Sequence, residues 1–131
     1  MDLSKHLEKA SEAVKRRNFG FAVKLYSQLL AIQPGNGEAR RGLREALFKK
    51  ADQRAPSKLL AMLLGFPHLL TAKLMGLLKQ HGGAASAYER FLKLDPLAEG
   101  PNLALARALE SAGYADGALA VYRSFAEREP R

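Results

Sequence analysis

Apolar residues recur along this chain at spacings of three and four, which places them on one side of an α-helix. The pattern occurs in four stretches: LEKASEAVKR (7–16), EARRGLREALFKK (38–50), HLLTAKLMGLLKQ (68–80) and LALARALESA (103–112). A turn and a second apolar helix are expected to follow each of these stretches. The chain is therefore predicted to run helix, turn, helix throughout, as an all-α fold.

A short skeleton of alanine, tyrosine and proline occurs three times. The copies are Ala22, Tyr26 and Pro34, then Ala84, Tyr88 and Pro96, then Ala118, Tyr122 and Pro130. One constant shift carries all three members of the second copy onto the third, and the first copy precedes the second by slightly less than twice that shift. The spacing predicts four repeat units, with the second shortened by six residues.

Each member of the skeleton has a mechanical role. The alanine is small where two helices cross, the tyrosine four residues later fills the gap to the next helix, and the proline ends the helix. A turn cluster precedes each alanine: RNFGF (17–21), HGG (81–83) and AGYADG (112–117). The skeleton thus describes the second helix of a helical hairpin, with its tyrosine in the core.

The shift from 84 to 118, with alanine, tyrosine and proline at these positions, resembles the tetratricopeptide repeat, whose period is about 34 residues. The resemblance implies an α-solenoid, a right-handed superhelix of antiparallel helical hairpins with about four units. A single domain over residues 1–131 would then contain units at about 3–36, 37–64, 65–98 and 99–131. The second unit is degenerate, because its second helix (57–66) has no tyrosine or closing proline at the expected place.

Composition indicates a protein that stays inside the cell. The chain has 131 residues, 47% of them hydrophobic, which is enough for one domain with a sizeable core. It has no cysteine, which excludes disulfides and thiolate metal sites and suits the cytoplasm. The first residues mix acids and bases where an export signal needs an apolar run. A cytoplasmic location is the expectation.

The most apolar window, residues 59–78, is nearly long enough to cross a bilayer. Lys73, His68 and Pro67 argue against a span, because a charge and a helix break are costly at membrane depth. We therefore expect no transmembrane segment, and two short buried helices in this window.

Positive charge is concentrated in one part of the chain. The net charge is +8, of which residues 1–37 carry +3, residues 38–79 carry +6 and residues 80–131 carry −1. Such an asymmetry is typical of proteins with an acidic partner, although many charged stretches are simply solvated helix faces.

The residues that usually carry catalysis are not grouped in this sequence. His6, His68 and His81 lack the spacing of a metal site, and the glycine pairs lack the lysine and following Ser or Thr of a phosphate loop. No serine stands in a nucleophile elbow. The protein is expected not to be an enzyme and to need no metal or cofactor.

The tetratricopeptide resemblance implies where a partner binds. In that family the first helix of each unit lines a concave face that captures a peptide. The family's groove positions fall on five cations and three apolar residues here: Lys15, Arg41, Lys49, Lys73 and Arg107, with Phe48, Leu69 and Leu77. We expect a protein interaction scaffold that binds a segment of another protein that is acidic or ends in a carboxylate. The two-carboxylate clamp of chaperone-binding members is not reproduced, since its positions hold Leu7, Ser11 and Gly42.

Two other functions remain open. The pI near 10.0 and the cluster ARRGLREALFKK (39–50) favour nucleic-acid binding, although the chain has no Trp and its last third is slightly acidic. Self-association through the C-terminal helices is the second, with Leu119 and Phe125 as contact residues.

Overall fold

The computed structural model describes residues 3–128, and for Arg128 it describes only the backbone. Within this range the chain forms seven helices and no strand, which confirms the all-α class. The helices are α1 Leu3–Lys15, α2 Phe19–Ile32, α3 Gly37–Gln53, α4 Lys58–Leu77, α5 His81–Leu94, α6 Glu99–Ser111 and α7 Ala115–Arg128. The predicted closing proline at 130 lies outside the described residues.

Three hairpin turns share one backbone conformation. Arg17, Lys79 and Gly113 have positive φ angles of 62°, 59° and 89° and join α1 to α2, α4 to α5 and α6 to α7. Each turn is closed by a 2.8 Å hydrogen bond to the carbonyl five residues earlier: Asn18 to Ala13, Gln80 to Met75 and Tyr114 to Leu109. This is the Schellman arrangement of a helix C-terminus. The three turns are separated by the same intervals as the three skeleton copies, so the sequence period is also a period of the backbone.

The buried apolar residues form two clusters. One joins α1, α2 and α3, and the other joins α5, α6 and α7. The three skeleton alanines, Ala22, Ala84 and Ala118, are almost fully buried, as expected for residues where helices cross closely.

The three skeleton tyrosines were predicted to lie in the core, and they differ in how deeply they are buried. Tyr26 is buried because its ring lies over the backbone of Gly42 in α3, where an added Cβ would lie 2.2 Å from the ring. Tyr88 is half-buried, whereas Tyr122 is exposed, so the prediction is wrong for Tyr122. No helix of the described residues follows α7 and covers Tyr122 as α3 covers Tyr26.

Helix α3 packs in an unexpected place. It follows α2 as an antiparallel neighbour, but its other flank lies on α7 instead of on α4. Gly37 lies beside Asp116 and Arg40 lies beside Gly117, so α3 and α7 run parallel. Helix α4 packs on α5. The division into four units stays a prediction, and its boundary between residues 64 and 65 falls within α4.

A group of buried polar side chains joins the two clusters. This polar seam consists of the buried side chains of Arg40, Arg44, Glu89 and Asn102, together with the half-buried Ser124. Arg40 donates to Glu89, and Arg44 donates to Asn102 and, at 2.5 Å, to Ser124. Burial lowers the pKa of Arg44 to about 10, while Glu89 acts in the opposite direction. The chain therefore places two arginines where an apolar interface would be the ordinary solution.

The window at 59–78 forms one helix, so the prediction of two short buried helices is wrong. Pro67 lies inside α4 and is exposed, so its ring does not disturb the packing on α5. Contact with α5 is close, because an added Cβ on Gly65 would lie 2.4 Å from Phe91. Helix α4 is the one helix among residues 3–128 that is long and apolar enough to cross a membrane, judged by length and composition alone.

Candidate binding grooves

The eight predicted binding residues do not form one continuous stripe. Lys15 and Lys49, with Arg41 and the ring of Phe48, line a groove between α1 and α3, which we name the α1–α3 groove. Lys73, Leu77 and Arg107 line a second groove between α4 and α6, which we name the α4–α6 groove. Leu69 lines neither groove, because it packs against the second apolar cluster.

The α1–α3 groove carries charges of both signs. Glu38, Glu45, Asp52 and Glu127 line it together with the cations. Lys49 lies 3.2 Å from Glu45 in an ion pair one helical turn apart. An acidic guest in this groove would meet neighbouring carboxylates, which weakens its attraction to the cations.

Phe48, one of three aromatic residues that line the α1–α3 groove, is part of its floor. Phe48 is buried, and the guanidinium of Arg44 stands over its ring at 5.1 Å from the centroid. Phe48 was predicted as an apolar anchor that a guest would touch. Its burial leaves little of its surface for contact, so its main role is to support Arg44 in the polar seam.

The α4–α6 groove is lined by small residues and cations. Its volume is about 510 Å³. Small side chains one turn apart, Ala72 and Gly76 on α4 and Ala104 and Ala108 on α6, form its walls. They leave room between the two helices, since neither helix fills the space with large side chains. Pairs of small residues at a spacing of four are the sequence signal for this groove, and the family's groove positions do not include these pairs.

Helix α5 supplies the floor of the α4–α6 groove. Ala84 and Tyr88 line it from below, and His81 lies at its edge on the first turn of α5. Burial raises the pKa of Tyr88, so its hydroxyl stays protonated at neutral pH and is available as a donor. The tyrosine that the repeat pattern placed in the core thus also faces a groove.

The charge of the α4–α6 groove is of one sign. Its lining contains Lys73, Arg107 and His81 but no aspartate or glutamate. Within the described part of the chain, no carboxylate lies within 4.0 Å of the Lys73 or Arg107 nitrogens. Glu110, which follows Arg107 on α6, instead accepts a hydrogen bond from Tyr122 at 2.7 Å. The two cations are therefore available to a guest.

The described residues do not bring together the side chains that a metal site needs. Residues 3–128 contain no group of three His, Cys, Asp or Glu side chains that could hold a metal ion. His6, His68 and His81 lie on α1, α4 and α5 respectively, so no two of them share a helix.

Comparisons with known proteins found similarity at the level of structure and none at the level of sequence families. No protein-family model matches it, and no curated protein matches it. A crystal structure of MamA protein is similar to it, with a TM-score of 0.45 and 16% sequence identity over 96% of this chain and 91% of that chain. The helical hairpins are observed directly. Membership of the tetratricopeptide family stays a prediction that rests on the repeated residues and turns.

Proposed function

We propose that this protein is a non-enzymatic interaction scaffold that binds an acidic segment of another protein in the α4–α6 groove. The observation that supports the proposal is a pair of cations, Lys73 and Arg107, above a small-residue groove without a carboxylate in its lining. Neither cation has an ion-pair partner among residues 3–128. A guest carboxylate would therefore gain an interaction that the protein does not already make internally.

The energetics favour a carboxylate near these two side chains. Hydrogen bonds to charged groups contribute roughly 1.5 to 3 kcal/mol each, more than neutral ones. Leu77 and Tyr88 add apolar and aromatic surface beside the charges. A guest that combines Asp or Glu with an apolar side chain matches both features, whether the carboxylate is a side chain or a chain terminus.

The α1–α3 groove is the weaker candidate for the same kind of guest. Lys15, Arg41 and Lys49 stay predicted binding residues, but Glu38, Glu45 and Asp52 share their groove. A guest that spans both grooves would have to cross the contact between the parallel helices α3 and α7, where the two clusters meet.

Burial weakens the nucleic-acid alternative. That hypothesis relied on the pI near 10.0 and on the five cations of ARRGLREALFKK, two of which, Arg40 and Arg44, are buried in the polar seam. Three exposed cations of this cluster remain for phosphate contacts, fewer than the six or so that suffice for nonspecific affinity, so the other contacts would have to come from elsewhere in the chain.

Self-association through the C-terminal helices stays a prediction. Leu119 is exposed and Phe125 is half-buried. Helix α3 already covers one flank of α7, around Gly117, which reduces the surface that α7 offers to another copy.

The cytoplasmic location, expected from the absence of cysteine, also stays part of the proposal.

Peptide selection followed by charge reversal tests the main proposal. Peptides selected from a phage library on the wild-type protein should be rich in Asp and Glu. Their affinity should fall about a hundredfold in Lys73→Glu/Arg107→Glu, because two charge-assisted hydrogen bonds are lost. The matched control is Lys5→Glu/Lys24→Glu, which has the same change in net charge on exposed lysines that line neither groove, and its affinity should stay within about threefold of that of wild type. Equal losses in the two variants, or selected peptides that are neutral or basic, would contradict the proposal.

A further inference from the structure

Helix α4 turns an apolar face to solvent. Five residues at helical spacings of four, three, four and four form the outer α4 face: Leu59, Leu63, Phe66, Leu70 and Leu74. Between 51% and 72% of the surface of each is exposed. These residues lie opposite Ala61, Gly65 and Ala72, the buried positions of α4. A contiguous exposed apolar patch on a protein surface often marks a site of interaction.

The charged residues of the segment that carries the outer α4 face are all positive. Residues 53–88 contain no aspartate or glutamate. Their cations are Arg54, Lys58, Lys73 and Lys79, which stand before α4, at its first residue, at its side and just after it. An apolar helix face bordered by lysine and arginine, without acids, is complementary to an anionic lipid surface.

A second copy of the chain fits this face poorly. If two α4 helices paired in antiparallel fashion, Lys58 of each copy would approach Lys73 and Lys79 of the other, and a parallel pair would place identical lysines together. Within residues 53–88 there is no carboxylate to compensate this repulsion. The apolar surface is also wide, because Met62 and Leu64 on its two borders are exposed as well. A paired helix would cover only a narrow stripe of it.

The geometry also favours a helix that lies on a membrane over one that crosses it. Helix α4 has 20 residues, a length of about 30 Å, and one side of it is packed on α5. Gly65 meets Phe91 and Gly83 meets Met75, so the contact extends along the helix pair. A spanning orientation would have to separate α4 from α5 or carry α5 into the lipid. Insertion of the outer α4 face by about 5 to 10 Å leaves the rest of the fold in water.

We propose that the outer α4 face binds the surface of an anionic membrane, with α4 lying flat in the interface and its flanking lysines at the level of the lipid headgroups. None of the five residues of the outer α4 face lines the α4–α6 groove, and Lys73 is the one residue that the two proposals share.

Flotation with lipid vesicles tests the proposal. The wild-type protein should float with vesicles of phosphatidylcholine and phosphatidylserine at 70:30 and bind pure phosphatidylcholine at least tenfold more weakly. Leu63→Glu/Leu70→Glu should lower the partition coefficient about tenfold or more, because two exposed leucines no longer enter the interface. The matched control is Ile32→Glu/Leu119→Glu, in which two exposed apolar residues of α2 and α7 receive the same charges. Circular dichroism checks that all variants keep their helices.

A second pair of variants tests the role of charge. Lys58→Glu/Lys79→Glu should reduce binding to the anionic vesicles about tenfold. Lys5→Glu/Lys24→Glu, on α1 and α2, has the same net charge and should keep wild-type binding. Loss of binding in both pairs would show attraction by total charge and overturn the assignment to α4.

Flotation and light scattering would give different results if the outer α4 face bound something other than an anionic membrane. No flotation of wild-type protein, or equal flotation with neutral and anionic vesicles, would overturn the proposal. A lipid-free dimer in light scattering that Leu63→Glu/Leu70→Glu converts to a monomer would also overturn it, in favour of a second copy. The same variant should bind the selected acidic peptides as wild type does, so failure of this proposal and failure of the peptide groove are distinguishable.

Discussion

Replacing Glu89 by glutamine should loosen the polar seam that joins the two apolar clusters. Glu89 accepts from Arg40, and both side chains are almost fully shielded from water. Arg44, which is also buried, gains electrostatic support from Glu89 in its charged form. The substitution keeps the shape and one acceptor oxygen but removes the negative charge, so two buried guanidinium groups lose their counter-charge.

The cost follows from the burial of this ion pair. Removal of one partner of a buried pair destabilises a protein by about 3 to 5 kcal/mol. The lower end applies here, because Arg40 Nε and Glu89 Oε1 have no hydrogen-bond partner among the described residues and glutamine retains an acceptor. A loss of about 3 kcal/mol is a large part of a domain stability of roughly 5 to 15 kcal/mol. It corresponds to a fall in melting temperature of about 10 °C.

Urea denaturation followed by circular dichroism measures the effect. Glu45→Gln is the matched control, since it removes the same charge from an exposed pair with Lys49 at 3.2 Å. That pair contributes only about 0.3 to 0.5 kcal/mol. A double-mutant cycle with Arg40→Met then separates the Arg40–Glu89 coupling from other effects. If Glu89→Gln cost no more than Glu45→Gln, the seam would not hold the two clusters together and the reasoning from burial would be refuted.

Two further substitutions test packing and turn conformation. Gly42→Ala should destabilise the protein by about 1 to 3 kcal/mol, because the new methyl group would lie 2.2 Å from the Tyr26 ring. Gly20→Ala, in α2 with open space around it, should stabilise the protein by about 0.5 to 1 kcal/mol. If both substitutions shifted the melting temperature in the same direction, the packing argument would be contradicted. Lys79→Gly should stabilise the α4–α5 turn by about 0.5 kcal/mol, since glycine adopts the φ angle of 59° without strain, whereas Gly113→Ala should destabilise the α6–α7 turn. A destabilised Lys79→Gly in urea titration would show that the lysine side chain contributes more than the strain costs.

Local features of the fold were predictable from the sequence because local chemistry determines them. Ala22, Ala84 and Ala118 occupy the helix crossings that their small size predicted. The shift that relates Ala84 to Ala118 also relates the positive φ angles of Lys79 and Gly113. Helical spacing, turn residues and steric size act within a few residues of each other, so a single sequence displays them.

The long-range arrangement was not predictable in the same way. Neither helix α3 nor helix α7 shows by its own pattern that the two lie parallel and in contact. One signal was present: Arg40 and Arg44 stand one turn apart beside the buried residues Ala39 and Leu43, which suits a polar interface. Such a signal becomes meaningful only with its partner Glu89, 49 residues away.

The position of the candidate site was only partly predictable, because it too depends on long-range packing. Family positions identified Lys73, Leu77 and Arg107, which line one groove, but they also joined these residues to Lys15 and Lys49 in another groove. The separation follows from the packing of α3 on α7, which places the polar seam between the two apolar clusters. A stripe of binding residues requires first helices that are neighbours in space, and α3 and α4 pack on different partners.

Helix α4 connects the two proposals through its position at the edge of the fold. One side of it packs on α5, a second side lines the α4–α6 groove, and the outer α4 face meets solvent. Lys73 lies on the groove side, next to the outer face, within a region without acids. A protein bound to an anionic surface through α4 would hold the mouth of the α4–α6 groove close to that surface. Since a surface of negative lipids repels an acidic guest in solution, the paired cations Lys73 and Arg107 are the feature that would still attract such a guest there.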